Sequence, residues 1–158
     1  MPPRTRSRTA PAAGLLLGVG LVAFVDGIVF HMLLEWHHMV SSVHPPTTLE
    51  AMRVNTFWDG AFHAGAWLVV VYGVALLWRA VARGDRLPAG SAFVGYMLLG
   101  AGAFNLVEGL VDHHLLRLHH VREVPDPLLY DVTFLILGGV VLLAAGWGLT
   151  SGERGYRR

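Results

Sequence analysis

The chain has 158 residues, 54% hydrophobic and 15% charged, with a formal charge of +1 and a mean hydropathy of +0.51. That balance lies outside the soluble norm and fits one integral membrane domain over residues 1–158, all-α in class. The absence of cysteine excludes disulfides, iron–sulfur clusters and thiolate metal sites, so any metal must be held by nitrogen and oxygen.

Arg4, Arg6 and Arg8 precede the first apolar run, residues 14–36. The pair of features resembles a signal peptide, but the apolar segment continues through Ile28, Val29, Phe30, Met32, Leu33 and Leu34 with no small-x-small cleavage site at its end. It is therefore read as a spanning helix, although its outer end, VDGIVFHMLLEWHHM, carries Asp26, His31, Glu35, His37 and His38. An HPP loop at 44–46 leads to the second run, 57–78, where Asp59 and His63 stand four apart on one face with Asn55 a turn earlier. Arg79, Arg83 and Arg86 separate it from the third run, 91–112, which passes into VEGLVDHHLLRLHHV. A PDP loop at 125–127 precedes the fourth run, 129–149, which Asp131 opens and after which Arg154, Arg157 and Arg158 follow. Each run meets the roughly 20 residues that a hydrocarbon core demands, and the short loops make neighbours antiparallel.

There is no lysine, and only Arg53, Arg117 and Arg122 fall outside the three arginine groups. This bias places both termini in the cytoplasm of a multi-pass protein of the inner (plasma) membrane, with the histidine-rich ends extracytoplasmic. Trp36 and Trp58 then sit at the outer interface and Trp78 and Trp147 at the inner one. The lipid bilayer is the expected partner; a second copy or another membrane protein stays open, and nucleic acid is not expected.

With a constant offset of 82, VDGIVFHMLLEWHHM lies over VEGLVDHHLLRLHHV, matching Asp26 to Glu108, Gly27 to Gly109, His31 to His113 and His37-His38 to His119-His120. FWDGAFH (57–63) lies over LYDVTFL (129–135), which sets Asp59 over Asp131. Halves at about 14–78 and 91–149 enter the membrane in the same sense, so the expected fold is a four-helix bundle built as a parallel two-helix repeat around an axis along the membrane normal. At about 100° per residue most polar groups of the first and third helices share one arc; Glu35, Arg117 and His114 fall outside it, and His31 stands about 140° from Asp26.

Imidazole and carboxylate together suit zinc, iron, copper or manganese. Candidate ligands are His31, His37, His38, His63, His113, His119 and His120, with Asp26, Asp59, Glu108 and Asp112 as ligands or as the acids that orient them. These exceed one mononuclear centre, so one or two non-haem ions are expected, and at most one histidine of each HH pair aims readily at a given centre. A metal-dependent oxidoreductase or hydrolase fits such a site. The alternatives are a haem b electron-transfer protein ligated by His31 and His113, and a metal-free proton or ion relay or transport protein.

FVDGIVFHMLLEWHHM, HPPTTLEAMRVNTFWDGAFHA and NLVEGLVDHHLLRLHHVRE together resemble the bacterial membrane proteins of the domain of unknown function 2243 family, over roughly residues 14–149. The resemblance implies a small four-helix integral membrane protein and carries no catalytic roles.

Overall fold

The computed structural model describes residues 8–155; Arg4, Arg6, Arg157, Arg158 and the side chain of Arg154 lie outside the described residues. It is all-helical, with four helices long and apolar enough to cross a membrane: α1 (Thr9–Leu33), α2 (Leu49–Ala82), α3 (Gly90–Leu115) and α4 (Leu128–Gly152). They pack in the order α2, α1, α3, α4. The central pair is 44% and 39% buried over its apolar windows against 11% for each flanking helix, so α2 and α4 present most of their surface outward.

Small residues make the central contact. A Cβ on Gly18 of α1 would collide with the Met97 carbonyl, and one on Gly100 of α3 with the Leu15 carbonyl. Both collisions are with backbone, so only glycine lets the two helices approach this closely. Ala10, Ala13, Ala23, Ala92 and Ala101 of these two helices are also buried, while leucine, valine and tryptophan dominate the exposed faces. This inverts the soluble pattern, as expected where lipid rather than water surrounds the fold.

The helix ends depart from the expected spans. α2 begins at Leu49 rather than near Phe57, because Thr48 caps it by accepting from the Ala51 N–H and Glu50 occupies its first turn. Its 34 residues extend about 50 Å, against a hydrocarbon core of about 30 Å, so its first turns stand clear of the apolar zone. At its other end Gly84 (φ 68) takes the left-handed conformation that closes a helix, and the Asp85 N–H returns to the Ala80 carbonyl.

α1 stops at Leu33, before Trp36. Its last turns, Gly27–Leu33, are π-helical, and so are Gly109–Leu115 at the end of α3. The Leu34 N–H then bonds to the Val29 carbonyl (2.8 Å) and the Trp36 N–H to Phe30 (2.9 Å); 82 residues on, Leu116 bonds to Val111 (2.7 Å) and Leu118 to Asp112 (2.8 Å). Among the described residues, Glu35 and Arg117, also 82 apart, are the non-glycine residues with positive φ, at 48° and 51°. His37, His38, His119 and His120 therefore lie in the turns beyond the helices, and helical-wheel angles do not apply to them.

Candidate metal centre

Asp26 and Glu108 are the last residues of the α-helical parts of α1 and α3. A π turn joins residues five apart by hydrogen bond, so it carries His31 back over Asp26 and His113 back over Glu108. His31 Nε2 lies 3.2 Å from Asp26 Oδ2, and His113 Nε2 lies 3.0 Å from Glu108 Oε1. The turns after Glu35 and Arg117 then fold His37 and His119 inward. Two trios result, Asp26–His31–His37 and Glu108–His113–His119, each buried and each with ligand atoms within 4.8 Å of one another. They adjoin: the His37 and His119 rings stack with centroids 4.6 Å apart, His31 packs 4.5 Å from His37, and His113 packs 4.9 Å from His119.

A layer of partners fixes the rings. His37 Nδ1 donates to the Val121 carbonyl (2.8 Å) and His119 Nδ1 to the Met39 carbonyl (3.1 Å), each crossing to the other half of the chain. His31 Nδ1 faces Asp59 Oδ1 at 2.8 Å, and Asp59 also takes His38 Nδ1 (2.8 Å) and the Met39 N–H (2.8 Å). Asp131 in α4 takes His120 Nδ1 (2.7 Å) and the Val121 N–H (2.9 Å), with His113 Nδ1 farther off at 3.6 Å.

This layer decides the chemistry at the centre. A carbonyl only accepts, so Nδ1 of His37 and of His119 must carry the proton and a neutral ring presents a bare Nε2 lone pair. Burial, reinforced by the nearby His119 and His31 rings, lowers His37 from 6.5 to about 2, so its ring is neutral. His119 Nε2 lies 3.1 Å from Glu108 Oε1. His31, His37 and His113 leave Nε2 buried without a hydrogen-bond partner. Among the described residues, Asp26, Asp59, Glu108 and Asp131 have only histidines as ion-pair partners. Imidazole nitrogens and carboxylates converging in a buried space could hold a metal ion, and the donor set suits a transition metal.

The remaining sequence candidates occupy other places. His38, His120 and Asp59 stand one layer out, as orienting groups. His63 donates through Nδ1 to the Asp59 carbonyl (2.7 Å), and its Nε2 is buried beside Gly27, where a Cβ would come within 2.5 Å of the ring. Its overlay position, Leu135, packs against Gly109, so this imidazole has no counterpart. Asp112 is half-buried outside both trios, at the position Phe30 holds in the first half. Asp131 was not among the sequence candidates; the overlay of LYDVTFL on FWDGAFH was the available signal. The Met39 and Val121 carbonyls carried no sequence signal at all.

An all-helical chain with four membrane-crossing helices and buried histidine–carboxylate groups that could hold a metal ion is a membrane protein with a candidate metal centre. A family model described as "Predicted membrane protein (DUF2243)" matches residues 13–153, and the chain belongs to that family. No curated protein and no solved structure matches it.

Proposed function

We propose that this protein is a non-haem metalloprotein that binds two transition-metal ions at the extracytoplasmic end of a parallel two-helix repeat, and that the pair serves an oxidoreductase. The observation that carries the reading is the duplication of one donor set: each trio is two imidazoles and one carboxylate, with Nδ1 of its inner histidine held as donor by a carbonyl of the other half. Two histidines and a carboxylate with open positions is the arrangement characteristic of non-haem iron, so iron is the preferred ion over zinc, copper and manganese. The π turns, the positive-φ residues and the reciprocal glycine contacts, all 82 apart, support the repeat. The arginine distribution supports cytoplasmic termini in an inner membrane.

The ring arrangement argues against haem. His31, His37, His119 and His113 form a continuous run at centroid distances of 4.5, 4.6 and 4.9 Å, filling the interval a macrocycle would need between His31 and His113. A metal-free proton relay would need donors between the acceptors, and the carbonyls fix the protons of His37 and His119 on the outer nitrogens. A second reading, a metal-dependent hydrolase, draws on Asp112, a half-buried carboxylate outside the trios that could act as base.

Visible and metal-edge X-ray absorption of chelator-free protein test the proposal. The expected result is an edge from one first-row metal, scattering from imidazole and oxygen ligands, and no Soret band. A Soret band, or a metal with no imidazole in its shell, contradicts it.

A further inference from the structure

Beside the trios a cleft of about 500 Å³ lies over α3 between α1 and α4, within the range of small-molecule sites. Its walls are apolar, with Phe30 and Phe134 among them, and Asp26 forms part of its lining. Val25 and Leu137, on the membrane-spanning helices, are 55% and 58% exposed, so the cleft opens sideways toward lipid. Its outer end is roofed: the Trp36 and Tyr130 rings meet edge to face at 5.8 Å, and the Arg122 guanidinium lies 5.1 Å from one and 5.3 Å from the other while donating to the Tyr130 hydroxyl.

One polar group in this lining lacks a partner. Asn105, 4% exposed, donates Nδ2 to the Gly138 carbonyl (2.9 Å), which fixes the orientation of the amide and leaves Oδ1 buried with nothing to accept from. The position 82 residues earlier is Ala23, so the group belongs to this cleft alone. A buried unpaired acceptor is costly unless a ligand completes it. Asn105 Oδ1 accepts, so the complementary head group donates. Reaching it through lipid demands an apolar tail.

We propose that the cleft binds a membrane-dissolved long-chain alcohol, its hydroxyl donating to Asn105 Oδ1 and its chain along Phe30, Phe134 and Leu137. This assigns a substrate class to the metal centre and rests on the metal reading for its chemistry, though not for binding.

The test uses the full chain in phosphatidylcholine nanodiscs with hexadecanol carrying a mid-chain diazirine, and metal content measured on the same samples. The expected result is labelling on α1 and α4 around Phe30, Phe134 and Leu137, suppressed by excess hexadecanol and not by hexadecyl methyl ether. Asn105→Leu lowers labelling about tenfold, as loss of one hydrogen bond predicts, with metal content unchanged. Leu137→Trp, a change at the exposed rim, blocks the cleft without touching the core. Equal competition by the ether, or full labelling of both variants, shows that acyl chains alone fill the groove and overturns the proposal, as does loss of metal together with labelling in Asn105→Leu. Metal-free wild type that still labels as described sinks the metal reading and leaves the alcohol site standing.

Discussion

The Nδ1 of His37 lies 2.8 Å from the carbonyl oxygen of Val121, a residue of the other half of the chain, and the same Val121 gives its N–H to Asp131 at 2.9 Å. Met39 repeats both roles for His119 and Asp59. Each inner histidine is thus aimed by the carbonyl of a residue whose own N–H is held by the opposite half's acid. The two trios are mechanically joined, and a disturbance of one acid should reach the histidine across the seam.

Replacing either acid tests that joint. Asp59→Asn and Asp131→Asn should each weaken metal binding by roughly 10–100-fold, the usual effect of losing a group that orients a ligand, while saturating metal still fills both sites. Competition titration against a chromogenic chelator reads the change. Wild-type affinity in both variants removes the orienting role.

Much of this was legible beforehand, and the misses have physical causes. Four apolar runs and the offset of 82 follow from hydropathy and spelling alone. The pairing of Asp26 with His31 does not, because five residues on an α-helix stand about 140° apart and only a π turn closes that angle. His37 and His38 lie beyond the helix, where no wheel holds. Gly18 and Gly100 obey the offset too, yet glycine carries no sign of which carbonyl it will meet until the helices cross.

That crossing yields a stability prediction. Gly18→Ala and Gly100→Ala should each cost about 1–3 kcal/mol, since the obstacle is backbone that cannot rotate away. Gly60→Ala, where a Cβ meets nothing within 4 Å, should instead be neutral or gain up to about 1 kcal/mol. Unfolding in detergent measures both; equal effects at the three sites contradict the close approach.

Glu35 and Arg117 hold left-handed backbone at φ 48° and 51°. Glycine at either position should leave stability unchanged or raise it by up to about 1 kcal/mol, whereas valine should cost about 1–3 kcal/mol. A valine variant as stable as wild type would show that the chain does not turn there as described.

His37 predicts a pH response in metal-stripped protein. Its unfolded ring takes a proton below about 6.5, while the folded ring refuses one until about pH 2. The unfolded state therefore binds more protons across that window, and folding stability falls as pH falls from about 6.5, by at most roughly 1.4 kcal/mol per unit from this group. His37→Leu should show a shallower acid slope than wild type between about pH 6 and pH 4. Parallel slopes would mean that His37 is not held neutral.

The central claim is two metal ions in two separate trios, and metal stoichiometry of the wild type beside His37→Ala and His119→Ala reads it directly. The account predicts two equivalents per chain for the wild type and about one for each variant, with a second loss when the substitutions are combined. No stoichiometric metal in chelator-free wild type, or a full complement retained by both variants, would contradict it.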